Sequence, residues 1–203
     1  KQVRVGVDAF YGLGMTGYIL NQVFTPSTSS EPLYRQLYTD ICAAITALRG
    51  AESLPDDEPL LFNDCDHLFL CKPFNEFCKA GDFANGPDGA LLTFASDSPA
   101  YSYLQYGADG RVCHTVEKQV VSHDAICGAY YFKDKKTYAD ACAEYLKNCE
   151  YKEFFVSGIY NVLAAQGARI AGFACDLHLP FGTPDEYRAA EAPANKAGFD
   201  ALT

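Results

Sequence analysis

Residues 58–67 read Glu-Pro-Leu-Leu-Phe-Asn-Asp-Cys-Asp-His, a short apolar run that ends in polar residues. The run at Pro59–Asn63 is typical of a buried strand. Strand-like runs and helix-like stretches alternate along the rest of the chain, and this alternation predicts an α/β fold. Ligands in such folds bind at the carboxyl ends of the strands, so Asp64 and Asp66 stand where a functional site is expected.

The same two kinds of element recur on both sides of this stretch. Amphipathic spacing or caps predict helices, and short β-rich runs predict strands. The predicted helices are Leu33–Leu48, Pro73–Lys79, Asp134–Asn148 and Phe154–Ala165. The further predicted strands are Lys1–Val7, Gly89–Phe94, Ala125–Phe132, Ala168–Phe173 and a hairpin of Tyr103–Tyr106 and Arg111–Thr115 around an Asp-Gly turn. We expect one domain over residues 1–203, with a mixed, mostly parallel central sheet.

The charge of the chain limits the partners that it can bind. Sixteen Lys and Arg residues against 26 Asp and Glu residues leave a formal net charge of −10. This surplus of acid argues against partners that are bound by phosphate neutralisation, such as duplex DNA or an anionic membrane face. No apolar run approaches the roughly 18–20 residues that span a bilayer, so we do not expect a membrane protein.

The cysteines of the chain are numerous, but their number and spacing fit neither a disulfide scaffold nor a structural zinc site. There are nine of them, an odd number, and none belongs to a Cys-x-x-Cys pair. Structural zinc sites need closely spaced ligand pairs, and small disulfide scaffolds need an even set. We therefore expect reduced thiols in a cytoplasmic protein. The numbering starts at Lys1 and the only methionine is Met15, so we also expect a processed or shortened chain.

The carboxylates of Asp64 and Asp66 are the sharpest candidates for chemistry. A turn at the strand end can bring residues i and i+2 toward one cation, and such hard oxygen ligands suit Mg²⁺ or Mn²⁺. One alternative is a polar strand-end loop in which the aspartates are turn or cap residues. Another is a zinc pair of Cys65 and His67, for which two more ligands at a suitable spacing are missing.

Two further motifs carry a functional and a structural interpretation. The Lys118 ammonium suits a phosphate oxygen and the Glu117 carboxylate suits a sugar hydroxyl, but the two residues also fit an exposed surface pair. The glycine-rich turn at Tyr11–Gly17 follows a strand-like run, and its backbone amides could cradle a phosphate through Gly12 and Gly14. This turn contains no Arg or Lys, which weakens the phosphate interpretation.

The segment at residues 182–186 has a structural explanation of its own. Thr183 precedes a proline, and Glu186 stands three residues after it. This spacing predicts a capping box at the start of a helix, with the proline in the first helical position.

Taken in order, these motifs resemble the nucleotidyltransferase family that makes nucleotide-sugars from an NTP and a sugar 1-phosphate. The resemblance runs from about Thr39 to Ala190, and it rests on the ordered set because no single motif is specific. The markers are Glu58-Pro59-Leu60-Leu61, Asp64-Cys65-Asp66, Leu92-Thr93-Phe94 with Ser96, Pro99, Ser102 and Tyr103, Val116-Glu117-Lys118, Gly128-Ala129-Tyr130-Tyr131-Phe132, Glu153-Phe154-Phe155-Val156 with Tyr160-Asn161, and Gly182-Thr183-Pro184.

The resemblance implies a Rossmann-like GT-A three-layer sandwich that carries a divalent-metal-dependent transferase site. It implies that Asp66 binds the Mg²⁺ or Mn²⁺ ion, with Asp64 as the second candidate ligand, and that Asp66 and Lys118 are the catalytic residues. The partners are an NTP and a sugar 1-phosphate, whose phosphate attacks the α-phosphorus of the NTP and releases pyrophosphate. The substrate-binding residues are expected to be Gly12, Gly14, Glu117, Lys118, Glu153 and Asn161.

Three departures from the family pattern concern triphosphate and metal binding. The glycine loop lacks the Arg of the family's G-x-G-x-R motif and is not followed by Pro-Lys. Cys42 stands where the base-binding segment of the family usually has Gly. Pro180 stands where a second metal-binding Asp is common in the family. Two other functions therefore stay open. One is a GT-A glycosyltransferase that uses Asp64 and Asp66 as its D-x-D motif, and the other is a catalytically weakened domain that binds sugar phosphate or a partner protein.

Overall fold

Strands and helices alternate along the chain, as the sequence predicts. The structure, a computed structural model, describes residues 16–20, 43–149, 151 and 153–202. Its strands in these ranges are β1 (Thr16–Leu20), β2 (Leu60–Asp64), β3 (His67–Leu70), β4 (Gly89–Ala95), β5 (Ser102–Tyr106), β6 (Val112–Glu117), β7 (Asp124–Phe132), β8 (Ile170–Ala174) and β9 (Leu177–Pro180). Its helices there are α1 (Ala43–Ala51), α2 (Lys72–Ala80), α3 (Lys135–Asn148), α4 (Val156–Ala165), α5 (Pro184–Ala190) and α6 (Pro193–Leu202).

The main sheet is mixed, and most of its strands point in one direction. Its strand order is β1-β2-β7-β4-β8, and the β5–β6 hairpin joins it through the pairing of β5 with β7. The pairs β1–β2 and β4–β8 are parallel, whereas β7 runs antiparallel between β2 and β4. The carboxyl ends of β1, β2, β4 and β8 therefore lie at one edge of the sheet, and the predicted mixed sheet is confirmed.

Helices cover both faces of this sheet, which gives three layers. Alternate residues of β7 point to opposite faces, as strand geometry requires. Tyr130 and Phe132 belong to a core that α1, α3 and α4 complete. Cys127 and Tyr131 belong to the core on the other face, where α2 contributes Phe74. Each fully buried large side chain stabilises this arrangement by about 1.5–3 kcal/mol.

Local signals in the sequence account for several element ends. The Asp134 carboxylate caps α3 by accepting a hydrogen bond from the Thr137 amide at 2.6 Å. Gly110 has a φ of 75° in the turn between β5 and β6, which is a conformation that glycine adopts without strain. Thr183 and Glu186 form both hydrogen bonds of a capping box at the start of α5. The predicted cap, hairpin and capping box are therefore confirmed.

A second, two-stranded sheet was not predicted from the sequence. Strands β3 and β9 pair antiparallel, with His67 opposite Pro180 and Leu70 opposite Leu177, and we call this pair the ribbon. Its base is held by the Asp176 carboxylate, which accepts from the Lys72 amide at 2.7 Å, and by the Asp176 amide, which donates to the Leu70 carbonyl at 2.8 Å. Strand β2 thus leads within two residues into a new strand rather than into a loop.

Two other predictions need correction at their ends. The predicted turn at Tyr11–Gly17 does not include Thr16 and Gly17, because both pair in register with Leu60 and Leu61 of β2 and belong to β1. The helix predicted to end at Leu48 continues to Ala51. The predicted strand Lys1–Val7, the start of the predicted helix at residues 33–42, and both Gly12 and Gly14 lie outside the described residues.

The described part contains eight cysteines, of which Cys65, Cys71, Cys113, Cys127, Cys149 and Cys175 are free thiols. Several of the eight, including Cys71, Cys78 and Cys127, are buried among apolar side chains on the α2 face of the sheet. Cys42 lies outside the described residues. None of the helices in the described ranges is both long and apolar enough to cross a lipid bilayer.

Candidate functional site

A bulge in β7 creates the space for Asp64 at the carboxyl end of β2. Leu91 of β4 pairs with Tyr130, but Thr93 pairs with Ile126, so β7 has extra residues between these pairs. Gly128 lies in this bulge with a φ of 80°. A Cβ atom at Gly128 would come within 2.7 Å of Asp64 Oδ2, so this approach requires glycine.

The carboxylate of Asp64 is held in an electrostatically unfavourable environment. Burial is the main effect that raises its pKa, to about 7, and the neighbouring carboxylates of Asp66 and Glu117 raise it further. A hydrogen bond from the Tyr130 hydroxyl acts in the opposite direction. Three carboxylates thus converge at this edge of the sheet, and their mutual repulsion favours a bound cation or proton.

Asp66 differs from Asp64 because its side chain is open to solvent. The side chain is 49% exposed. It lies against Gly182, where a Cβ atom would come within 2.6 Å of Asp66 Oδ2. The Asp66 carbonyl accepts a hydrogen bond from the Phe181 amide at 2.9 Å, which ties the turn after β2 to the end of β9. Of the two aspartates, Asp66 is therefore the one presented to a ligand.

Aromatic and imidazole rings lie beside Asp66. His67 Nδ1 and His178 Nε2 are 2.8 Å apart, and the His178 ring stacks on Phe94 with centroids at 3.8 Å. Burial lowers the pKa of His67 and lowers the pKa of His178 to about 4, so both imidazoles are neutral at pH 7. Tyr101 also lies near the Asp66 charge, and its ring packs edge-on against Phe94. These rings form one wall beside the carboxylates.

Within the described ranges, no group of three or more His, Cys, Asp and Glu side chains could hold a metal ion by itself. This finding argues against a zinc site built from Cys65 and His67 with further protein ligands, because structural zinc needs four. It is compatible with Mg²⁺, which commonly takes one or two carboxylates and fills its other positions with water and substrate phosphate. The carboxylates of Asp64 and Asp66 fit that pattern.

Glu117 and Lys118 follow directly from β6 and enter the same region. The Glu117 carboxylate accepts a hydrogen bond from the Ser157 hydroxyl in the first turn of α4. Lys118 has a φ of 54°, the one positive φ of a non-glycine residue in the described chain. Its amide donates to the Tyr101 carbonyl at 3.1 Å, and its ammonium lies 5.6 Å from the centre of the Phe155 ring. The turn with this positive φ therefore directs the Lys118 ammonium toward the Phe155 ring, one residue after Glu117.

The other residues expected to bind substrate are placed differently. Asn161 lies on α4, where its Oδ1 accepts from the Thr115 amide at 2.6 Å and its Nδ2 donates to the Thr115 carbonyl at 3.1 Å. Glu153 is exposed in the segment that precedes α4. The structure thus brings the carboxylates of Asp64, Asp66 and Glu117 near one another, with Lys118 next in the chain, and it shows Asn161 bonded to β6.

Sequence reasoning missed four residues of this site: Tyr101, Tyr130, Ser157 and His178. Tyr101 and Ser157 stand next to quoted motif residues, so adjacency in the sequence was the available signal. Tyr130 belongs to a predicted strand and to the marker Gly128-Ala129-Tyr130-Tyr131-Phe132, but neither assigns it a role in the site. No signal identified His178, because its contact with His67 depends on the pairing of β3 with β9 across 111 residues.

The backbone of Lys118 yields a stability prediction. A left-handed conformation disfavours any residue with a Cβ atom, so Lys118→Gly is expected to be about 1 kcal/mol more stable than Lys118→Ala. Urea unfolding of both variants and the parent measures the difference. The two variants share the loss of the ammonium, which makes alanine the matched control. An alanine variant as stable as the glycine variant would show that the turn carries no strain.

The raised pKa of Asp64 predicts a pH dependence of stability. Between about pH 4 and pH 7 the folded protein keeps the proton of Asp64, whereas the unfolded chain has lost it. The contribution to the unfolding free energy therefore falls as the pH rises through this range, by about 2–4 kcal/mol in the metal-free protein. Urea unfolding at pH 5 and pH 8 tests this, with Asp64→Asn as the variant in which the fall is expected to be smaller. An equal fall in both proteins would contradict the assignment to Asp64.

The fold and the placement of these residues can be compared with solved structures. A nucleoside-diphosphate-sugar pyrophosphorylase from Vibrio cholerae RC9 superposes with a TM-score of 0.53 at 24% identity, over 64% of this chain and 55% of that one. A protein described as a glucose-1-phosphate thymidylyltransferase from Bacillus anthracis, solved with sucrose, superposes with a TM-score of 0.55 at 17% identity, over 74% of this chain and 60% of that one. The chain shares their fold.

This likeness confirms the Rossmann-like α/β fold that the ordered motifs imply, and it supports the resemblance to sugar-1-phosphate nucleotidyltransferases at the level of the fold. The chain spans 55% and 60% of the lengths of the two solved proteins. No protein-family model and no curated protein matches the chain.

Proposed function

We propose that the chain is a nucleotidyltransferase that transfers a nucleotidyl group from an NTP to a sugar 1-phosphate. An oxygen of the sugar phosphate forms a new bond to the α-phosphorus of the NTP. The bond from the α-phosphorus to the oxygen that bridges it to the β-phosphorus breaks, and that oxygen leaves with pyrophosphate. The observation that carries the proposal is the approach of the Asp66 and Glu117 carboxylates to Asp64, at the carboxyl edge of a sheet whose fold two sugar-nucleotide enzymes share.

A divalent cation fits the carboxylates of Asp64 and Asp66. Their donor atoms are carboxylate oxygens, which Mg²⁺ and Mn²⁺ prefer, and burial and mutual repulsion leave the Asp64 carboxyl with a raised pKa. We propose that Asp66, with Asp64 behind it, would hold Mg²⁺ or Mn²⁺. Such an ion, when bound, neutralises phosphate charge and polarises the phosphoryl oxygens.

The remaining residues bind and orient the substrates. Lys118 supplies a positive charge for a phosphate oxygen, and the turn at φ 54° fixes the direction of its side chain. Glu117 is an acceptor for a sugar hydroxyl, because one of its oxygens is already engaged by Ser157 and the carboxylate cannot rotate freely. Asp64 and Asp66 repel the phosphates unless a cation intervenes, so nucleotide binding is expected to depend on the divalent ion.

A ligand panel tests the proposal. Thermal unfolding of the protein is measured with ATP, CTP, GTP, UTP, dTTP, UDP-glucose and glucose 1-phosphate, each with and without Mg²⁺. We expect a Mg²⁺-dependent increase in Tm with at least one NTP, and pyrophosphate release when a sugar 1-phosphate is added to that NTP. An increase with UDP-glucose and Mn²⁺ but with no NTP would instead indicate a glycosyltransferase. No increase with any nucleotide at millimolar concentration would overturn the proposal.

A further inference from the structure

A set of buried and half-buried polar side chains joins β6 to α4 beside the proposed site. We call it the β6–α4 zipper, and its members are Thr115 and Glu117 on the strand and Ser157 and Asn161 on the helix. Residues two apart on a strand share a face, and residues four apart on a helix share a face, so the two pairs oppose each other. Thr115 and Ser157 are each 1% exposed. Polar groups this deeply buried need hydrogen-bond partners, and each of these has them within the zipper.

The hydrogen bonds of the zipper lead toward Glu117. Asn161 bonds to the backbone amide and carbonyl of Thr115, at 2.6 and 3.1 Å. The Thr115 hydroxyl donates to the Ser157 carbonyl at 2.8 Å. The Ser157 hydroxyl then donates to Glu117 Oε1. Because a hydroxyl has one proton, the Ser157 proton is committed to this carboxylate.

The helix turn that carries Ser157 has little freedom to move. A Cβ atom at the next residue, Gly158, would collide with the hydroxyl and ring of Tyr145 on α3. Tyr145 is buried in the core that α1, α3 and α4 share. The N-cap residue of α4, Phe155, makes no side-chain cap hydrogen bond, and the Glu117 carboxylate lies beside the first turn of the helix, where an anion is favourable.

We propose that Ser157 is a positioning residue that fixes the Glu117 carboxylate for binding of a sugar 1-phosphate. Ser157 holds one oxygen of Glu117, which leaves the other to accept from a sugar hydroxyl. Asn161 acts through Thr115 on the strand that carries Glu117 and Lys118. This inference rests on the proposed function, since it assigns a role within the same site.

A double-mutant cycle tests this role. The parent protein, Ser157→Ala, Glu117→Ala and the double variant are titrated with glucose 1-phosphate in the presence of Mg²⁺ by calorimetry. Loss of one hydrogen bond to a charged group is expected to weaken binding about tenfold in Ser157→Ala. In the Glu117→Ala background the same change is expected to have less than a twofold effect, because its partner is already absent.

A matched control separates positioning from general packing. Thr93 is buried at 2% exposure on β4, and its hydroxyl donates to the Phe173 carbonyl at 3.5 Å. Thr93→Val removes a buried hydroxyl away from Glu117, and we expect it to leave the dissociation constant for glucose 1-phosphate within twofold of the parent value. Equal weakening by Thr93→Val and Ser157→Ala would overturn the positioning role, as would additive effects of Ser157→Ala and Glu117→Ala on binding.

Urea unfolding of the same four proteins tests the contact between Ser157 and Glu117 without a ligand. It therefore separates the proposed role of Ser157 from the proposed nucleotidyltransferase function. The contact between Ser157 and Glu117 predicts that the shifts of the urea midpoint in the single variants do not add in the double variant. Additive shifts would overturn the contact, whatever the ligand results. If the parent protein binds neither glucose 1-phosphate nor any NTP of the panel while the urea cycle shows coupling, the contact stands but the proposed function and the binding role of Ser157 both fall.

Discussion

Asp66→Asn is expected to reduce nucleotidyl transfer at least 100-fold and to abolish the Mg²⁺-dependent increase in Tm with NTP. Among the clustered carboxylates, Asp66 is the one with a half-exposed side chain, so it is the one that a ligand can reach. Asparagine keeps the shape but removes the charge, and losing one group that stabilises developing charge typically lowers the rate by about 10²–10³-fold. Initial rates of pyrophosphate release and the two Tm values measure the effect.

The control for this variant removes an aspartate charge elsewhere. Asp109 lies in the turn between β5 and β6 with a side chain that is 63% exposed, and its ion pair with Arg111 is exposed as well. Asp109→Asn is expected to leave the rate and the Mg²⁺ effect within twofold of the parent protein, because exposed ion pairs contribute little. Asp66→Asn with an undiminished Mg²⁺ effect would contradict the assignment of Asp66 as a metal ligand.

Gly128→Ala is expected to lower the unfolding free energy by about 3 kcal/mol, since it adds backbone strain and a steric clash. The φ of 80° disfavours alanine, and the new methyl group would come within 2.7 Å of Asp64 Oδ2. The variant is also expected to weaken Mg²⁺-dependent nucleotide binding, because Asp64 must move. Urea unfolding gives the free energy, and thermal shift with NTP and Mg²⁺ gives the effect on the site.

Gly81 provides the matched comparison for Gly128. It ends α2 with a φ of 68°, but a Cβ atom there would meet no other atom within 4 Å. Gly81→Ala therefore carries the backbone strain without the clash, and we expect it to cost about 1 kcal/mol. If the two substitutions cost the same, the close approach of Gly128 to Asp64 is not a feature of the folded protein.

The parts of the fold that local signals determine could be predicted from the sequence. Strand β2 has a short apolar run, the β5–β6 hairpin has an Asp-Gly turn, and α3 begins at a capping Asp134. Each of these signals lies within the element that it predicts. The order of such elements was sufficient to imply the α/β fold and to place Asp64 and Asp66 at the carboxyl edge of the sheet.

The parts that depend on distant partners could not be predicted in this way. The ribbon pairs His67 with Pro180, and residues this far apart leave no local pattern. The different environments of Asp64 and Asp66 could not be predicted from the sequence either, because they depend on which distant residue lies against each carboxylate. Gly128 lies against Asp64, whereas Gly182 lies against Asp66. Asn161 was expected to touch substrate because of its motif, whereas its hydrogen bonds to Thr115 emerge only once α4 packs on β6.

The ribbon has a mechanical consequence for the site. Its tip contributes Asp66 through the turn before β3, and its base is held by the hydrogen bonds that join Asp176 to Leu70 and Lys72. The ribbon is therefore fixed at both ends, because the direct link to β2 and the hydrogen bond from the Phe181 amide hold Asp66 at the other end. Natural selection for an accurately placed carboxylate would act on Asp176 as well as on Asp66, because Leu70 and Lys72 contribute only backbone groups to this anchor.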